Sequence, residues 1–114
     1  MNKDDLYTLA QKLLLRPIAV YPIFVRITQS VTAGYLLSQL VYWADKGKDK
    51  QGWIYKTDHA FCQELNMTWK EMRGAKAKLR RQHLVTVQLR GVPATTYYLI
   101  NWETLIERIL AFSV

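Results

Sequence analysis

At 114 residues, half of them hydrophobic, the chain is long enough to enclose one core and too short for two comfortable ones. The single cysteine excludes an internal disulfide. No apolar run approaches the roughly 20 residues of a membrane span, and Met1–Asp5 lacks a signal-peptide pattern, so no membrane partner is expected and the expected location is the cytoplasm. The formal net charge of +7 is unevenly placed: residues 46–90 carry eleven Lys and Arg against four Asp and Glu, while the segments on either side are close to neutral. Charge gathered on one segment is the footprint of a surface that neutralises phosphates. A solvated helix face that happens to be basic is the bland reading of the same count.

In chain order, the first predicted element is a helix from Asp5 to Leu15. Leu6, Leu9, Ala10, Leu13 and Leu14 fall on one stripe, and Arg16-Pro17 ends it because the residue before a proline is pushed out of helical backbone. Ile18-Ala19-Val20-Tyr21, β-favouring and bounded by two prolines, predicts a short strand at a sheet edge. Pro22 suits the first turn of a short helix through Ile27. From Ser30 a longer helix carries Val31, Tyr35, Leu36, Leu37, Leu40, Val41 and Trp43 on more than one face, the pattern of a buried centre. Gly47 stops it, and a lysine-bearing loop over residues 46–52 leads to a second short strand, Trp53-Ile54-Tyr55-Lys56.

Two short helical patterns then flank a tight turn. Thr57 caps the first, which runs to Leu65; Asn66-Met67 is the turn; the second opens at Thr68, where Thr68 and Glu71 form a capping box. Met72, Ala75 and Leu79 recur on one side of that second helix, while Lys70, Arg73, Lys76, Lys78, Arg80 and Arg81 crowd the rest. Leu84–Arg90 and Thr95–Ile100 alternate with period two around Gly91-Val92-Pro93-Ala94, a hairpin with a four-residue loop. Trp102, Leu105, Ile106, Ile109 and Leu110 form the stripe of a closing helix. The expected fold is α+β, mainly α: one winged helix-turn-helix domain over residues 1–114, with its core at 16–100 and added helices at 1–15 and 101–114. The apolar stripes of the two added helices leave two readings open, pairing with a second copy into a homodimer or packing within one chain.

Three segments, Ile27–Ser30 with Leu36–Trp43, then Gly52–Thr57, then Gly91–Tyr98, resemble in order and spacing the winged-helix domains of phage and mobile-element replication proteins, over roughly residues 16 to 102. The resemblance implies DNA binding near an origin, often beside a second region that engages host helicase machinery, so the chain reads either as a stand-alone protein or as one domain of a longer one. Trp69 and Gly74 depart from the small polar or cationic residues usual near the start of the second helix in that family, and His83 stands where such domains commonly place glycine.

The candidate interface follows from the second helix. Thr68, Trp69, Lys70, Arg73 and Gly74 are expected to face the major groove of double-stranded DNA, Lys76 and Arg80 to sit on phosphates, and Arg90 to reach the backbone or minor groove from the hairpin. Arg73 is the residue expected on guanine, since arginine bonds O6 and N7 together. The readout is replication initiation or control of transcription. The alternative is a small mobile-element protein whose basic surface binds and inhibits a host nucleic-acid-binding complex; an exposed Trp69 beside a bare Gly74 suits a protein interface. His59 and Cys62, three residues apart, lack further ligands at metal spacing. His83 has no catalytic companions, and no glycine-rich phosphate loop is present. No enzyme activity, cofactor or metal is expected. Four tryptophans suggest base stacking on single strands, but Trp43, Trp53 and Trp102 fall in apolar patterns and are expected in the core, leaving Trp69 exposed.

Overall fold

Capping chemistry sets most of the helix starts. In the computed structural model, which describes residues 1–14, 16–47 and 49–113, α1 (Lys3–Leu13) begins where the Asn2 side chain accepts the Asp5 amide at 2.8 Å. Pro22 opens α2 (Pro22–Thr28), and Ser30 Oγ accepts the Ala33 amide at 3.1 Å to start α3 (Val31–Ala44). Thr57 does the same for α4 (Asp58–Leu65), 3.0 Å from the Ala60 amide. At α5 (Trp69–Arg81) the capping box closes in both directions: Glu71 N–H to Thr68 Oγ1 at 3.1 Å and Thr68 N–H to Glu71 Oε1 at 2.9 Å. The last helix is α6 (Trp102–Ser113). Leu15, expected to end the first helix, and Lys48 of the lysine-bearing loop lie outside the described residues, as does Val114.

Among the described residues the fold is α+β and mainly helical, with one small antiparallel sheet. Its strands are β1 (Ile54–Tyr55), β2 (Val85–Arg90) and β3 (Thr95–Ile100), in the order β1-β3-β2. Ile54 lies opposite Tyr98 and Tyr55 opposite Tyr97, while β2 pairs β3 from Val85–Ile100 to Arg90–Thr95. Alternation along the strands turns Ile54, Val85, Tyr98 and Ile100 inward and Tyr55, Gln88, Arg90 and Tyr97 outward.

The centre of the core is α3, whose Ala33, Leu36, Leu37 and Leu40 are wholly buried. Phe24 and Ile27 of α2, Phe61 and Leu65 of α4, and Met72, Ala75 and Leu79 of α5 close around it. Gly34 permits the tight α2–α3 crossing: a Cβ there would fall 2.7 Å from the Val25 backbone nitrogen. Phe61 meets Tyr98 edge-on, ring centroids 5.5 Å apart at 89°. His83, in the left-handed region with φ 59°, holds a turn that glycine would enter more easily; its carbonyl accepts Asn101 Nδ2 at 2.7 Å.

Three expectations change. Ile18–Tyr21 runs as an unpaired segment and not as a strand: Pro17 has no N–H to offer a ladder, and the Tyr21 amide donates at 3.0 Å to Ser38 Oγ on α3. Trp53 drops out of the predicted second strand because its amide is taken by Asp49 Oδ2 at 3.0 Å. The tryptophans expected in the core stop at its margin. Trp43 and Trp53 are partly buried and Trp102, opening α6, is 45% exposed. Trp43 stays at the edge because its indole N–H serves Glu64 Oε1 at 2.6 Å.

The terminal helices behave differently from one another. Through α6, Leu105 enters the core and Ile109 and Phe112 pack against it, while Ile106 and Leu110 remain exposed. In contrast α1 buries no residue, and Leu6, Leu9, Leu13 and Leu14 all face solvent. Among the described residues no helix is long and apolar enough to cross a membrane.

Candidate nucleic-acid interface

The turn between α4 and α5 is built on Asn66, which caps α4 in the left-handed region (φ 54°, ψ 42°), a conformation asparagine tolerates better than other side-chain-bearing residues. The next amide, Met67 N–H, returns to Cys62 O at 3.0 Å, and the Met67 side chain is buried. Two carboxylates on α4 then fix its neighbours. Asp58 accepts Lys76 Nζ of α5 at 2.7 Å on one oxygen and the Tyr98 hydroxyl of β3 on the other. Glu64 takes Lys56 Nζ at 2.5 Å, the Trp43 indole N–H and the Gln39 side-chain amide. The Asp58–Lys76 pair ties α5 to α4, and the Glu64 contacts tie α4 to α3.

With Met72, Ala75 and Leu79 buried, the opposite face of α5 is set by helical spacing. Lys70, Gly74, Ala77 and Arg81 follow one another along it at steps of about one turn, and all four are exposed. Trp69, Arg73 and Arg80 flank this row on one side and Lys78 on the other. Its centre is low: nothing lies within 4 Å of where a Cβ on Gly74 would sit. The result is a strip with a cation at each end, cations along its flanks, and backbone approachable at its middle.

The residues predicted for the interface fall into three groups. Lys70, Arg73, Gly74 and Arg80 lie exposed on or beside the strip, and Trp69 stands at its start, 53% exposed. Thr68 is exposed, but its hydroxyl and amide are both engaged in the capping box. Lys76 and Arg90 point elsewhere. The Lys76 ammonium is held by Asp58 with its side chain only 20% exposed, so Arg80 alone of that pair stands clear for a phosphate. Arg90 lies across the outer face of the sheet, its guanidinium 4.5 Å from the Trp53 ring and 4.4 Å from the Tyr97 ring, with Nε 3.3 Å from Gln88 Oε1. The strip also includes Ala77, Lys78 and Arg81, which were not singled out for the interface. Extending the i, i+4, i+7, i+11 progression from Lys70 finds Ala77 and Arg81 in the sequence.

Ionisation follows the same ties. Burial works to raise the Glu64 carboxyl, but the hydrogen bonds from Lys56, Trp43 and Gln39 and the Lys56 charge outweigh it and hold it below its ordinary value. Hydrogen bonds from the Thr68 backbone and side chain lower the Glu71 carboxyl. Burial, then the hydrogen bond to Asp58 and its charge, push the Tyr98 phenol well up. The Cys62 thiol is raised by burial and by Asp58. Among the described residues, no group of three or more His, Cys, Asp or Glu side chains gathers as a metal ion would require.

Comparison with known proteins gives neither a matching family model nor a matching curated sequence. The function is therefore read from the residues and their geometry.

Proposed function

We propose that the chain is a winged-helix protein that binds double-stranded DNA through the exposed strip of α5, in replication initiation or transcription control of a phage or related mobile element. The observation carrying this reading is the Lys70–Gly74–Ala77–Arg81 row, flanked by Arg73, Arg80 and Lys78. A cationic helix face with a bare centre suits a major groove, where phosphates border the helix on both sides and bases need close approach. The element order α3-β1-α4-α5-β2-β3, with β3 between the other strands, supports the winged-helix reading. Arg73 is the guanine-reading side chain, and Lys70, Arg80 and Arg81 serve phosphates.

The test is a mobility shift of duplex DNA from the element itself, at two salt concentrations, against unrelated duplex. A complex on the element's DNA that survives the higher salt better than the unrelated one is expected. Arg73→Ala costs about 1–3 kcal/mol on the preferred site only, whereas Arg80→Ala weakens all duplexes alike. An unaltered sequence preference in Arg73→Ala removes it from the reading position. One observation favours a second reading: Trp69, half exposed at the start of the strip whose middle is the bare Gly74 backbone, resembles the aromatic anchor of a protein interface. No complex with any duplex at low salt would transfer the strip to a protein partner, such as a host nucleic-acid-binding complex.

A further inference from the structure

The outer face of the sheet has no role in duplex binding by α5, yet it is neither plain nor polar. Antiparallel register brings Tyr55 and Gln88 to opposite sides of Tyr97, so all three strands contribute to one surface turned away from the core. The Tyr55 and Tyr97 rings lie 5.3 Å apart at 49°, and Tyr55 is 60% exposed. Arg90 crosses this surface to lay its guanidinium over both Tyr97 and Trp53. Among the described residues Arg90 has no carboxylate partner.

Beside the free edge of β1 these rings wall a cleft of about 300 Å³. Trp43 and Lys46, at the end of α3, line it with them. Three acidic groups nearby are already engaged: Glu64 holds Lys56, Asp45 pairs with Lys46 at 3.4 Å, and Asp49 receives the Gln51 and Trp53 amides at 2.9 and 3.0 Å. The surface is therefore aromatic, with cations at its rim and no unengaged carboxylate among these walls.

Clustered rings next to a guanidinium that no carboxylate neutralises match the two halves of an unpaired nucleotide, a flat base that stacks and a phosphate that seeks a cation. Duplex DNA cannot use the rings, because its bases are already stacked on one another. We propose that this cleft binds a single-stranded nucleic acid segment, with a base stacked on Tyr55 and Tyr97 and the adjoining phosphate on Arg90. The inference goes beyond duplex binding by α5 and does not depend on it, since the two surfaces share no residue.

The probes are labelled oligo-dT, oligo-rU and a duplex of equal length, titrated with the whole chain and followed by fluorescence anisotropy. Single-strand affinity is expected to fall roughly fivefold to a hundredfold in Tyr55→Ala and in Tyr97→Leu, and to survive in Tyr55→Phe. Duplex affinity is expected to stay unchanged in all three, while Arg73→Ala does the reverse. Should Tyr55→Ala lose its circular dichroism signal, Arg90→Gln on the exposed face replaces it, with a weaker single-strand complex expected. The proposal is overturned if wild type binds neither oligomer at low salt, or if folded variants bind them as wild type does. It is equally overturned if folded Tyr55→Ala loses duplex and single strand together.

Discussion

Lys76 on α5 and Asp58 on α4 meet at 2.7 Å with side chains only 20% and 13% exposed, and the Tyr98 hydroxyl closes on the second Asp58 oxygen. One carboxylate thus ties two helices and the central strand together. Lys76→Ala leaves that carboxylate mostly buried with one partner fewer, and is expected to lower the unfolding free energy by about 1–3 kcal/mol. Urea denaturation of Lys76→Ala, Asp58→Asn and the double variant isolates the coupling. A Lys76→Ala protein as stable as wild type would return this cation to the pool available for phosphates.

The same network sets a pH window. The folded Tyr98 phenol titrates above its ordinary value of 10.0, so its contribution to stability is present below about that pH and is lost as pH rises beyond it. The folded Glu64 carboxyl titrates below 4.5, so its contribution is present above that value and is lost as pH falls. Thermal melts across pH are expected to show a plateau between these limits. Tyr98→Phe should flatten the alkaline fall and Glu64→Gln the acid one; alkaline limbs that superimpose for wild type and Tyr98→Phe would contradict the assignment.

Leu40, wholly buried on α3, tests where the core is centred. Leu40→Ala is expected to destabilise the protein by about 2–5 kcal/mol, from lost burial plus the cavity left behind. Calorimetry that finds an unchanged melting temperature would move α3 out of the centre.

An isolated helix as short as α1 is marginal in water, and its Leu6, Leu9 and Leu13 are 54%, 42% and 70% exposed. A second copy covering this stripe is the proposed reason for it, with the exposed Ile106 and Leu110 of α6 as the facing surface. Sedimentation at micromolar concentration is expected to give a dimer that Leu9→Glu dissociates without unfolding. Ile109→Glu would not discriminate, since Ile109 packs against the core and its loss damages the monomer. A monomeric wild-type chain removes the dimer.

What could be read from the sequence was local. Ser30, Thr57 and the Thr68–Glu71 box mark helix starts because a cap is satisfied within three residues, and the Val85–Ile100 hairpin shows its register through period-two alternation. The misread features depend on distant partners. Whether Ile18–Tyr21 becomes a strand depends on a neighbour to pair with, and Ser38 of α3 took the Tyr21 amide instead. Apolar patterning gave Trp43 and Trp102 a face but not a depth. Cation count gave α5 its charge but could not show that Asp58 had claimed Lys76 or that the aromatic sheet face had claimed Arg90.

The central claim is that the open face of α5 lies against DNA phosphates, and the salt dependence of duplex binding tests it most directly. With Lys76 withdrawn and Arg73 on a base, Lys70, Lys78, Arg80 and Arg81 remain for phosphates, and about 0.9 counterion released per phosphate gives an expected log–log slope of roughly −3 to −4. Lys70→Ala and Arg81→Ala should each reduce its magnitude by about 1, and Lys76→Ala should leave it unchanged. A flat dependence, or a slope that these two substitutions do not move, would show that α5 does not sit on the DNA backbone.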